Sequence, residues 1–172
     1  GLAYTNILSR RLDYEFINLG FSGNGRGEPE LAKLINQIKD KKMVILDYQA
    51  NANESIKQSL ETFIDIIRNK NPDLPILVIS KILYAEEIHQ EKHIFTLNSL
   101  AHFQEKLVLR KKQQGDKNIH FIDGKNLLGK YAHEASVDGV HPNSYGFMMM
   151  AENLQPSIEK ILKKQSKQNG IK

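Results

Sequence analysis

Short runs of β-branched and aromatic residues alternate along this chain with longer stretches of helical period, and that alternation restricts the fold more than any other feature. The β-like runs are Tyr14 to Leu19, Met43 to Tyr48, Ile76 to Ser80 and Ile119 to Ile122. Between them, Leu31, Leu34, Ile35 and Ile38 recur at i, i+3, i+4 and i+7, and Ile56, Leu60, Phe63, Ile64 and Ile67 follow the same helical period. A third amphipathic stretch, roughly Ile94 to Arg110, sets Leu97, Leu100, Ala101, Leu107 and Val108 on one face. A last helix is expected from near Asn143 past Ile161, bent near Pro156. Strands separated by helices predict an α/β protein with a mostly parallel sheet covered on both faces. Right-handed crossovers then bring the C-terminal ends of the strands to one edge, where open α/β sheets bind ligands. Gly20 to Gly27, Gln49 to Asn53 and Ser80 to Tyr84 fall at that expected edge.

The length, 172 residues, suits one domain with a substantial core, and no repeat or linker divides it. Apolar and charged fractions of 40% and 26% are those of an ordinary globular chain. The formal charge of +4 gathers towards the end, in Lys163, Lys164, Lys167 and Lys172. With no aromatics among these lysines, residues 163–172 read as a solvated, frayed tail and not as a nucleic-acid site. Cysteine is absent, which excludes disulfides and thiol catalysis within the chain. No apolar run reaches the roughly eighteen residues of a membrane span, and no signal-peptide pattern is present. The start, Gly1-Leu2-Ala3-Tyr4, runs straight into a helical pattern without an initiator methionine and is expected to be a processed or truncated end.

Three constellations carry possible chemistry. The first, Asn18 to Gly27, holds four glycines in eight residues after a predicted strand, which requires tight turning or close approach. It is not a dinucleotide fingerprint, because Gly23 and Gly25 are followed by Glu28 at the third position. Nor is it a nucleophile elbow around Ser22, since Asn24 stands where the closing glycine belongs. Its backbone N–H groups could serve an anion, or the segment could be a plain strand-to-helix turn. The second, Leu46 to Glu54, places Asn51 and Asn53 after another strand. A side-chain amide there can donate to a developing oxyanion, and Asn53 alternatively suits a helix cap. The third is Ser136-Val137-Asp138-Gly139-Val140-His141-Pro142-Asn143. Asp and His three apart in a glycine turn can set carboxylate beside imidazole, fixing the tautomer and leaving Nε2 to accept a proton. Pro142 would open the last helix. His89, His93 and His102 show no carboxylate–histidine spacing of a zinc site, and His120 and His133 fall in a strand and a loop. The His89 and His93 pair, at i and i+4, has no acidic partner on its face, and neither a metal nor a cofactor is expected.

Together these blocks resemble the SGNH (GDSL-like) hydrolase superfamily, most closely its acylhydrolases and carbohydrate esterases. The S-G-N stretch resembles the glycine block, with Gly23 as oxyanion donor; Leu46 to Asn53 resembles the asparagine block; and D-G-V-H-P resembles the final block, with Asp138 orienting His141. The resemblance spans essentially the entire chain. It implies a three-layer α/β/α sandwich with a flavodoxin-like sheet, and a metal-independent serine esterase acting on small acyl esters such as acetylated carbohydrate or lipid. The asparagine block reads D-Y-Q-A-N-A-N instead of the family's G-x-N-D, which favours Asn51 over Asn53 as the donor and leaves both open. The block bearing the nucleophilic serine is missing, and Ser9, Ser22 and Ser80 do not sit in its context. The resemblance therefore implies a fragment lacking its first strand and serine, inactive alone, from a parent exported to the periplasm or cell surface. The competing reading is a non-catalytic α/β module using the glycine loop as an anion or nucleotide-phosphate nest.

Overall fold

The hydrophobic run Ile76-Leu77-Val78-Ile79 dictates the centre of the molecule. In the computed structural model, which describes residues 1–168, it forms β2 (Ile76–Ile79), flanked in parallel by β1 (Val44–Leu46) and β3 (Ile119–Ile122). Val44 pairs with Ile76, and Ile76 with Ile119. Successive strand side chains point to opposite faces, and every residue of β2 is at most 1% exposed, so both faces of the sheet are covered. Full burial of each such aliphatic side chain stabilises the fold by about 1.5–3 kcal/mol before conformational entropy is set against it. The helices are α1 (Tyr4–Leu12), α2 (Pro29–Ile35), α3 (Gln49–Ala52), α4 (Ile56–Lys70), α5 (Glu91–Gln113) and α6 (Ser144–Gln168). The expected α/β class is the observed one. Among the described residues no helix is long and apolar enough to cross a membrane.

Contacts gather these elements into two compact units. One comprises Gly20–Lys81 and Thr96–Asp123, and contains the sheet, α2, α3, α4 and most of α5. Here α4 buries its predicted stripe of Ile56, Leu60, Phe63, Ile64 and Ile67, and α2 packs against α4. Arg68 locks the far end of α4. Its Nε and Nη2 donate to the two Asp116 carboxylate oxygens at 2.7 and 3.1 Å, while Nη1 donates to the carbonyls of Asn71 and Leu74. A planar guanidinium satisfied on both forks is well suited to a site with this little solvent. The other unit comprises Gly1–Leu19, Ile82–Phe95 and the described residues from Gly124 onward. In it α1 packs on α6, burying Ile7 and Leu8 together with Ala151, Leu154 and Ile158. Arg11 reaches from α1 to Glu152 and Gln155 on α6.

Several expectations are corrected. Tyr14 to Leu19 is not a strand. A strand exists through its ladder, and this segment pairs with no strand among the described residues, its Tyr14 and Ile17 remaining 39% and 56% exposed. The chain reaches it through Asp13, which closes α1 in the left-handed region at φ 56°. Pro142 does not open the last helix; α6 starts two residues later, and Pro142 instead forms a β-bridge with Ser136. Asn53 does not cap α4, whose N-cap is Ser55. α6 continues through Gln168, with Lys163 paired to Glu159 at 3.0 Å, so the stretch expected to fray is helical as far as that residue. Residues 169–172 of that expected tail lie outside the described residues.

Candidate active site

The segment Ser136 to Pro142 is folded by its own polar groups into a turn that joins Asp138 to His141. The Val137 N–H donates to the His141 carbonyl at 2.9 Å, and Ser136 bridges Pro142, closing the loop's base. Gly139 lies at φ 87°, where a side chain would be strained, and its N–H donates to Ser136 Oγ. The Gly139 carbonyl accepts from the Glu86 N–H at 3.1 Å. Within this turn Asp138 Oδ1 accepts from the backbone N–H of Val140 (3.0 Å) and of His141 (2.8 Å), and Oδ2 faces His141 Nδ1 at 2.7 Å. The His141 backbone donor, then its ring, then the Val140 donor hold the Asp138 carboxyl well below the usual carboxylate range. An ionised carboxylate only accepts, so Nδ1 is the donor in this contact, and in the neutral ring Nε2 is the nitrogen left to accept a proton. The imidazole is largely exposed, with 77% of its side-chain surface open.

Asn143 and Gly146 fix this turn to α6. Asn143 Oδ1 accepts from the Gly146 N–H at 2.9 Å, the geometry of an N-cap, and Asn143 Nδ2 donates to the carbonyls of Glu134 and Ser136. A Cβ at Gly146 would lie 2.2 Å from the Ala135 carbonyl oxygen, so only glycine admits this approach.

Gly23 and Asn51 belong to the unit that holds the sheet. Gly23 is exposed at φ 75°, with open space around its Cα, and its N–H makes no hydrogen bond among the described residues. Gly27, later in the same loop, lies at φ 85° against the Tyr48 ring, where a Cβ would come within 2.6 Å. Burial pushes the Tyr48 hydroxyl up to about 12, and it pairs with Ser59 at 3.2 Å. Thus the residue that opens the asparagine turn also packs under the glycine loop. Asn51 is half-buried in α3, its backbone N–H donating to the Tyr48 carbonyl, while its side-chain amide makes no hydrogen bond among the described residues. Asn53 ends α3 exposed, at φ 48° and ψ −128°, a strained conformation for a residue with a side chain.

None of the three serines considered stands as an activated nucleophile. Ser9 Oγ donates to the Tyr14 carbonyl at 2.6 Å, Ser80 is fully buried and donates to Asp123, and Ser22 sits exposed in the glycine loop. Among the described residues no three histidine, aspartate or glutamate side chains converge as metal ligands. The residues missed in the sequence are Gln49 and Gln104, both buried. Gln104 could have been found, because it interrupts the apolar face of α5 between Ala101 and Val108.

A model of the GDSL-like lipase/acylhydrolase family matches residues 1–159. The chain belongs to the GDSL-like lipase/acylhydrolase family. Among solved structures, a protein described as a GDSL-like lipase from Bacteroides ovatus ATCC 8483 is 36% identical, with a TM-score of 0.86. That alignment covers 95% of this chain but 48% of the other, so this chain spans about half the length of that relative. The salicylyl-acyltransferase SsfX3 from a tetracycline biosynthetic pathway shares the fold at 21% identity and a TM-score of 0.77, over 92% of this chain and 48% of its own. A carbohydrate esterase of family 3 from Talaromyces cellulolyticus does so at 19% identity and 0.58, over 77% and 68%. Comparison with curated proteins gives no match. Membership of the GDSL-like lipase/acylhydrolase family agrees with the SGNH hydrolase resemblance of the sequence blocks.

Proposed function

We propose that this chain carries the base, its orienting acid and two oxyanion donors of a serine esterase acting on small acyl esters, and that the nucleophilic serine lies outside it. The observation that carries the reading is the 2.7 Å contact of His141 Nδ1 with an Asp138 carboxylate already held by two backbone donors. In the proposed reaction His141 Nε2 takes the proton of the serine hydroxyl as its oxygen bonds to the ester carbonyl carbon. Gly23 N–H and the Asn51 amide donate to the resulting oxyanion. The imidazolium, stabilised by Asp138, then protonates the departing alkoxide as the ester C–O bond breaks. Water repeats the sequence on the acyl-serine and releases the acid. The proposed substrates are acetyl esters, on carbohydrate or on lipid.

The test uses the longer protein, this chain preceded by its native upstream segment, with an aryl acetate as substrate. Wild type should turn over, His141→Ala should lose about 10³-fold or more in kcat, and the 172-residue chain alone should be inactive. Equal rates for wild type and His141→Ala would remove the histidine from the reaction and sink the proposal.

A further inference from the structure

Gln49 is 2% exposed and Gln104 1%, among the few buried polar side chains of the core. Burying an amide costs free energy unless its hydrogen bonds are made, so each such group calls for an explanation. Gln49 Oε1 accepts from the backbone N–H of Lys81 at 2.8 Å and from Gln104 Nε2 at 2.5 Å. The orientation follows from chemistry. A backbone N–H can only donate, so the Gln49 atom facing Lys81 is its oxygen, and Gln104 must then offer its NH₂. Gln104 Nε2 also reaches the Leu100 carbonyl, while its own oxygen is buried without a hydrogen-bond partner among the described residues. An apolar residue at 104 would spare that orphaned acceptor, so the glutamine is costly for stability alone.

The three groups tie together the point where β1 gives way to α3, the backbone at Lys81 two residues past the end of β2, and the middle of α5. Gln49 is the first residue of α3 and Asn51 the third. Two residues along an α-helix turn the side chain by about 200°, so a Gln49 buried inward directs Asn51 outward. That matches the half-buried Asn51, whose amide is left unpartnered among the described residues. The strained Asn53 closes the same turn immediately behind it. We infer that Gln49, held by Lys81 N–H and Gln104, is a positioning residue that fixes the Asn51 amide for the ester oxyanion. This rests on the esterase reading for its catalytic consequence but not for its structural one.

The experiment has two arms. In the longer protein, with an aryl acetate, Gln49→Met should lower kcat by about 10- to 100-fold with KM little changed, while thermal stability falls modestly. Asn51→Ala should lose about 10²–10³. Because Gln49 acts through Asn51, the double variant should be no slower than Asn51→Ala alone, where independent effects would multiply. Multiplying effects, or an unchanged kcat in Gln49→Met, would overturn the inference. The second arm uses the 172-residue chain and needs no activity: Gln49→Met and Gln104→Met should each shift and broaden the Asn51 side-chain amide resonances. If the longer protein proves inactive, this arm still decides whether Gln49 positions Asn51. Unmoved Asn51 resonances with both variants folded would overturn it.

Discussion

At Asp138 three donors meet one exposed carboxylate, and the consequence is a matter of sign. The hydrogen bonds from His141 N–H, the His141 ring and Val140 N–H favour the ionised form, which holds the carboxyl below its ordinary value of 3.8. A carboxyl whose folded value lies below its unfolded one contributes stability that is fully present above the unfolded value and is lost as pH falls through the folded one. The turn should therefore keep its hydrogen bonds down to pH 3.8 and open only in stronger acid. Carboxyl ¹³C NMR of Asp138 in this chain should give a midpoint clearly below 3.8; a midpoint at or above it would mean that the three donors are not engaged in solution. The pair itself was legible in the sequence because Asp-Gly-Val-His puts both side chains within one turn. Gln49 was not, since nothing in a strand-end glutamine tells whether it faces core or solvent. Gln104 lies between these cases: the apolar spacing of Leu97, Leu100, Ala101 and Val108 assigns it to the core face, and only the polarity conflicts.

At the scale of elements, the start of α6 decides where His141 stands. Two effects oppose each other at Gly146. Helix propensity favours alanine over glycine by about 0.8–1 kcal/mol. A methyl 2.2 Å from the Ala135 carbonyl, a backbone atom that cannot rotate away, forces a shift of the kind that costs about 1–3 kcal/mol, and it endangers the Asn143 cap, itself worth about 1 kcal/mol. The steric term wins, so Gly146→Ala should lower stability by about 1–3 kcal/mol in a denaturant titration; a stabilised variant would show that the helix start is not pressed against the loop. Glycine in a first helical turn is visible in the sequence, but its reason is a carbonyl eleven positions earlier, and no local pattern encodes that contact. The core elements read well because they carry their own period: β2 and β3 begin where their apolar runs begin, at Ile76 and Ile119, and α4 buries the stripe its spacing predicts. The segment Tyr14 to Leu19 has strand composition without strand pairing, since pairing is a property of two segments and composition of one.

For the whole molecule that last segment becomes the most informative. Tyr14, Phe16, Ile17 and Leu19 make a run suited to a pleated, half-buried surface, yet among the described residues it contributes no ladder. Its residues lie in one compact unit and the three-stranded sheet lies in the other. The proposed esterase requires a serine outside the chain, and the relative at 36% identity is about twice as long as the aligned region. If the upstream segment that bears the serine is itself a strand, it can pair with this run, whose backbone amides then become ladder donors. Amide hydrogen exchange across residues 14–19 should then be slower by at least about tenfold in the longer protein than in the 172-residue chain, while β2, already buried on both faces, changes little by comparison. Equal exchange of residues 14–19 in the two proteins would separate the serine from this segment and leave the strand composition there without a structural purpose.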